Sequence, residues 1–204
     1  MVAADFHAYW CSTYPEAMPL GYRLRITYPD RWLRIHSLPE AQRYPGDDAD
    51  WAELLGRQFA LFADLVSQPA DLILVTGEYE MAAVAAPPPW AFTAEGCLRG
   101  MAFTALPPVA LSTLPPNPHV PDEYEPGDLY RPVCTLVRWT AAVGEGILRE
   151  IAEGAIQAFF VSIEHACLIA PYDGGVDIIF SDEATRNQFR DRYSRWVSPR
   201  ADGL

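Results

Sequence analysis

The stretch CLIAPYDGGVDIIF, from Cys167 to Phe180, sets two apolar runs on either side of Asp173-Gly174. Asp-Gly between apolar runs is a strong hairpin signal, because a type I′ turn needs positive φ at both central positions. Pairing outward from that turn places Pro171 opposite Val176, Ala170 opposite Asp177 and Leu168 opposite Ile179. Asp177 then shares a face with Ala170, Leu168 and Ile179, a carboxylate among hydrocarbon. Such a group requires a cationic or hydrogen-bonding partner, or else its pKa must rise. The hairpin predicts an antiparallel sheet and makes Asp177 a candidate binding residue, with Tyr172 and Asp173 beside it at the turn.

Working outward, YRLRITY (Tyr22 to Tyr28) and RWLRIH (Arg31 to His36) both alternate with period two, and Pro29-Asp30 lies between them. The pattern predicts a second hairpin. One of its faces would carry Leu24, Ile26, Leu33 and Ile35, and the other Arg23, Arg25, Arg34 and His36 with Thr27 and Trp32. From Asp50 to Val66, Trp51, Leu54, Leu55, Phe59, Phe62 and Val66 recur at three- and four-residue steps. That spacing predicts an amphipathic helix, its dipole favoured by Asp47, Asp48 and Asp50 at the N-terminal end. DLILVT (Asp71 to Thr76), VCTLVRW (Val133 to Trp139) and the run from Ala158 to Ile163 read as strands, and Glu145 to Glu153 as a helix. A last helix is expected to open at Ser181 as N-cap, with Asp182 and Glu183 in its first turn. It would present Phe189, Tyr193 and Trp196 on one face and stop at Ser198-Pro199.

The region from Pro87 to Pro132 differs in kind, holding eleven of the nineteen prolines. Proline removes donors and fixes φ, so regular elements there must be short. Trp90, Phe92, Met101, Phe103 and Leu111 are nonetheless too apolar for a solvated linker, which predicts an ordered arm packed on the core. The whole chain, 1–204, reads as a single α+β domain with a mostly antiparallel, mixed sheet flanked by helices, residues 87–132 forming the proline-rich arm.

Half of the 204 residues are apolar and 21% are charged, as in a globular protein. The formal charge of −12 would repel nucleic-acid backbones and suits a basic partner or simple solubility. All fifteen basic residues are arginine. Without lysine there can be no Walker-A phosphate loop, no kinase-type phosphate lysine and no Schiff-base chemistry. Cys11, Cys97, Cys134 and Cys167 are widely spaced, which argues against a zinc site and favours reduced thiols packed in a cytoplasmic protein. Neither a signal peptide nor a membrane-spanning run is recognisable, and no motif calls for a cofactor.

Four constellations could carry chemistry. Arg25 opposite Arg34 on the predicted arginine–histidine face is unfavourable unless an anion lies over the pair, and two guanidinium forks make a carboxylate or phosphate clamp. The alternative is internal neutralisation, with Asp47, Asp48 and Asp177 as the suspects. On the loop Leu38 to Asp48, Arg43-Tyr44-Pro45 offers residue types that anchor protein interfaces, unless Tyr44 packs under the helix that follows. His7, His36, His119 and His165 could pair with a nucleophile, but no GxSxG elbow exists and no cysteine has a catalytic context; His165, close to Cys167, reads as a core histidine. Asp173, Asp177 and Asp182 could bind a hard cation, yet turn chemistry explains Asp173 and the helix N-terminus explains Asp182.

PLGYRLR (Pro19 to Arg25), WLRIHSLPEAQRYP (Trp32 to Pro45), APYDGGVDIIF (Ala170 to Phe180), RYSRWVS (Arg192 to Ser198) and the terminal Gly203-Leu204 resemble a bacterial domain-of-unknown-function family, number 3885 in that series. The resemblance covers the N-terminal and C-terminal parts and implies a compact cytosolic α/β-type domain without an assigned activity. The expected function is non-enzymatic binding, most concretely an immunity or antitoxin-type inhibitor of a basic bacterial toxin. The rival expectation is a small enzyme or sensor that binds an anion at the arginine–histidine face. A phage-derived domain without separable activity is a third reading.

Overall fold

The computed structural model describes residues 2–82, 92–116, 124–198 and 200. In chain order the elements are α1 (Val2–Thr13), α2 (Leu24–Thr27), β1 (Trp32–His36), α3 (Asp48–Leu65), β2 (Ala70–Glu80), β3 (Thr104–Ala105), β4 (Val109–Ala110), β5 (Leu129–Trp139), α4 (Ala141–Ala152), β6 (Ala158–Ser162), β7 (Cys167–Tyr172), β8 (Gly175–Ile179) and α5 (Glu183–Arg192). The strands form one sheet in the order β1-β8-β7-β6-β2-β5-β3, with β4 also on β5. Every pairing among these strands is antiparallel, so the sheet is α+β as expected but not mixed.

Alternation along the central strands feeds two cores, because successive side chains point to opposite faces. Leu72 and Leu74 of β2 join Leu33, Ile35, Trp139, Phe160, Ile169 and Ile178 beneath α3 and α4. Ile73 and Val75 join Phe159, Leu168 and Ile179 on the other face, under Phe6 and Trp10 of α1 and Leu24 of α2. Leu54, Leu61, Phe62 and Leu65 of α3 are buried at the helical spacing expected, and Phe62 stacks on Trp139 with centroids 4.0 Å apart. Asp47 caps that helix, accepting from the amides of Ala49 and Asp50 at 2.9 and 3.0 Å. The helix α1 has no clear sequence signal, since its apolar residues mix with small ones.

The β7–β8 hairpin has the expected register, with Leu168 on Ile179, Ala170 on Asp177 and Pro171 on Val176. Its turn is not type I′, because neither Asp173 nor Gly174 has positive φ. The glycines answer to space instead. A Cβ on Gly174 would lie 2.9 Å from the Tyr172 ring, and one on Gly175 would lie 2.3 Å from the Ile35 carbonyl of the neighbouring strand.

The predicted N-terminal hairpin does not form. Residues 21–23 make a 3-10 turn, α2 follows, and Pro29 opens another 3-10 turn that leads into β1. Arg23 and Leu24 are both buried, an adjacency that two-residue alternation cannot give, and β1 pairs with β8 rather than with the Tyr22–Tyr28 segment. A seven-residue alternation is too short to separate a strand from a turn of helix when tertiary packing decides. The last helix begins one residue later than expected: Asp182 is the cap, accepting from the Thr185 amide at 2.8 Å, while the Ser181 hydroxyl donates to the Asp182 carboxylate. Helix geometry ends at Arg192, yet Phe189, Tyr193 and Trp196 all pack on the large core.

Within the proline-rich arm, β3 and β4 are two-residue strands on β5, Phe92, Met101 and Phe103 pack on the large core, and Leu111 is buried with Leu20, Val109 and Tyr130. Trp90 lies outside the described residues.

A candidate ligand cleft beside the Arg34–Asp177 pair

Register builds the centre of the site. Arg34 of β1 faces Asp177 of β8 directly, and the Arg34 Nε and Nη2 groups donate to Asp177 Oδ1 and Oδ2 at 2.7 and 2.8 Å. The guanidinium also lies 4.8 Å from the Tyr172 ring centroid and 5.4 Å from that of Trp32. Burial works against the charge of Arg34, but the hydrogen bonds and negative charge of Asp177 outweigh it and raise its pKa. Internal neutralisation therefore accounts for Arg34, and of the three suspects only Asp177 provides it; Asp47 is spent on capping α3. At the turn, Arg43 Nε donates to Asp173 Oδ2 at 2.8 Å, so that carboxylate is also committed.

These residues edge a cleft of about 510 Å³. Arg25, Arg34, Arg43, Tyr172, Asp173 and Asp177 all line it, although the strand expected to bring Arg25 there is a helical turn. Arg25 is half-buried and makes no side-chain hydrogen bond or ion pair in the described structure. The floor is apolar, from Ile156, Ala158, Phe159 and Pro171. Burial, reinforced by Asp177 and Asp173, pushes the Tyr172 phenol up to about 12, against the pull of Arg34 and Arg25. A phenol so shifted is protonated at neutral pH.

Three expected site residues lie elsewhere. Arg23 is 4% exposed and its guanidinium donates to the Pro115 carbonyl, which ties the proline-rich arm to the body. His36 is partly buried outside the cleft lining with Nε2 unpartnered, and burial together with Arg34 and Arg57 lowers its pKa. Tyr44 is 58% exposed, not packed under α3, and the Arg43 guanidinium lies 5.4 Å over its ring. His165 is exposed in the β6–β7 turn, where Nε2 accepts from the Ser67 amide at 3.2 Å, so it is not a core histidine. His119 lies outside the described residues. His7 and Cys11, exposed one turn apart on α1, approach to 3.7 Å and are not among the cleft-lining residues.

The sequence reading missed a tyrosine wall made by Tyr22, Tyr79, Tyr124 and Tyr130. Tyr22 and Tyr124 share a 2.7 Å hydrogen bond between phenols, and Tyr79 and Tyr130 are register partners with rings 5.0 Å apart. A signal exists for the second pair. Gly77 interrupts β2 where a Cβ would fall 2.8 Å from the Tyr130 ring and 2.4 Å from the Arg131 carbonyl, marking a close approach. The first pair joins residues 102 positions apart across the proline-rich arm and has no local signal.

No cysteine, serine or histidine is among the described residues that line the cleft. Fold and cleft thus define a two-faced antiparallel α+β protein with a pocket that joins tyrosine rings, apolar side chains and, among the described residues, one guanidinium without a partner. The chain belongs to the family described as Domain of unknown function (DUF3885), whose model matches residues 20–201. The match runs through the proline-rich middle as well as the two ends and starts after α1. Comparisons with curated proteins and with solved structures found no match. No helix among the described residues is long and apolar enough to cross a membrane.

Proposed function

We propose that this is a non-enzymatic binding protein whose cleft receives an anionic ligand. The observation that carries this reading is Arg25, a guanidinium lining the cleft with no partner among the described residues in a chain of charge −12, while Arg34 and Arg43 in the same cleft are held by Asp177 and Asp173. A cation left unpaired beside an apolar floor is a favourable place for a carboxylate or phosphate. A thermal-shift screen with anionic metabolites tests it, because ligand that binds only the folded state raises the melting temperature. The expected result is a stabilising anion whose effect disappears in Arg25→Gln, with the ligand-free melting temperature unchanged. An anion-induced shift that persists in that variant overturns the reading.

A protein partner is supported by a different feature. Tyr44 and Arg43 stand exposed together on the loop before α3, the residue types of interface anchors, and the acidic surface would steer a basic protein toward them. An immunity or antitoxin-type inhibitor of a basic bacterial toxin fits that description, and four free cysteines fit a reducing cytoplasmic setting. Co-purification of the tagged chain from its host, repeated with Arg43→Ala/Tyr44→Ala, tests this. A stoichiometric basic protein lost in the double variant supports it; one retained at full occupancy counts against this loop.

A further inference from the structure

We infer that the cleft's ligand is a monocarboxylate with an aromatic or apolar body, its carboxylate on Arg25 and its body on the Phe159 floor; this rests on the cleft reading above. The charge inventory sets the valence. Among the described lining residues Arg25, Arg34 and Arg43 are opposed by Asp173 and Asp177, a side-chain sum of +1. That suits one negative charge. A di- or triphosphate would bring several charges to two fixed carboxylates with a single uncommitted cation to meet them.

The helix geometry points the same way. Phosphate sites use helix N-termini and runs of backbone amides. Here α4 contributes its C-terminal end, Ile151 with Gly154 just beyond it, where the dipole is negative and repels an anion. The negative end of α4 therefore disfavours an anion beside Ile151 and Gly154, while Arg25 offers the positive charge that is uncommitted among the described residues. The planar fork of a guanidinium matches a carboxylate bidentately, and the Arg34–Asp177 pair in the same cleft is that geometry made internally.

The remaining surface selects the body of the ligand. Phe159, Ile156 and Pro171 offer hydrocarbon, and the paired Tyr79 and Tyr130 rings offer aromatic faces. A volume of about 510 Å³ lies within the range of pockets that enclose a small organic molecule.

Calorimetric titration of the full chain tests the inference with 3-phenylpropionate, indole-3-acetate and octanoate, each beside its uncharged amide, together with inorganic phosphate and pyrophosphate. At least one carboxylate should bind, its amide at least about tenfold more weakly, and Arg25→Gln should reduce the acid to the level of the amide, as expected for loss of a charge-assisted pair. Phosphate and pyrophosphate should bind more weakly than the best carboxylate. Amides that bind as tightly as acids would overturn the carboxylate assignment and the anion reading while leaving an apolar-ligand cleft. Tightest binding by pyrophosphate, lost in Arg25→Gln, would overturn the monocarboxylate class and leave the anion reading standing. No binding by any probe overturns the inference.

Discussion

Arg34 sits opposite Asp177 on the adjacent strand and donates two hydrogen bonds to its carboxylate, the side chains being 13% and 9% exposed. Breaking such a pair from one side strands a charge in a site that cannot solvate it. Asp177→Ala is expected to cost about 3 kcal/mol in denaturant unfolding, and Arg34→Met/Asp177→Leu much less, since replacing both partners removes the desolvation problem. A double variant no more stable than Asp177→Ala would show that the pair acts through something other than its charges.

Two helical glycines should respond in opposite ways. Gly56 is exposed within α3 and a Cβ there meets nothing within 4 Å, so Gly56→Ala should stabilise the protein by about 0.5–1 kcal/mol through helix propensity. Gly144 lies in α4, where a Cβ would fall 2.7 Å from the ring of fully buried Trp139 and 3.1 Å from Phe59. Gly144→Ala should therefore destabilise by about 1–3 kcal/mol despite the same propensity gain. Thermal unfolding of the two variants side by side checks the contrast.

His36 contributes a pH dependence of definite sign. Burial, Arg34 and Arg57 lower its pKa in the folded chain below the usual 6.5. The unfolded chain then takes up the proton first as pH falls, so stability is full above about 6.5 and declines as pH drops from there through the folded value. Between about pH 7.5 and 5.5 the melting temperature should fall more in the wild type than in His36→Leu. Equal falls would mean that His36 is solvated well enough to titrate normally.

Thiol reactivity should separate by burial. Cys11 is exposed on α1. Burial pushes Cys97 and Cys167 up to about 12 and Cys134 up to about 11, with Glu150 adding to the effect at Cys97. The thiolate is the reacting species, so a disulfide reagent at about pH 8 should label Cys11 quickly and the others only after unfolding. Fast labelling of Cys167 in the native protein would contradict the packing of β7.

On the loop before α3, Arg43 and Tyr44 are expected to be thermodynamically silent. Arg43 is 64% exposed in its pair with Asp173, and exposed pairs contribute little. Arg43→Ala/Tyr44→Ala should change unfolding free energy by less than about 0.5 kcal/mol. A larger loss would make the loop part of the folding core and unsuitable as an interface probe.

Much of this protein could be read in one dimension because its signals are local. The Asp-Gly turn brought Asp177 opposite Ala170, the step pattern from Trp51 to Phe62 specified α3, and the absence of lysine removed whole classes of phosphate chemistry. Alternation also named Leu33, Ile35, Arg34 and His36 correctly as opposite faces of one strand. Local pattern could not say what that strand pairs with. Whether Tyr22–Tyr28 becomes a strand or a turn of helix depends on the edge of β8 being taken by β1, a contact between residues well over a hundred positions apart. The same holds for the cleft: Arg34 is neutralised because register puts Asp177 beside it, whereas Arg25 reaches the cleft on α2 and makes no ion pair among the described residues. Hydrophobic period and turn chemistry act over a few residues and survive in sequence, but the partner of a buried charge is chosen by packing, and only the assembled sheet decides it.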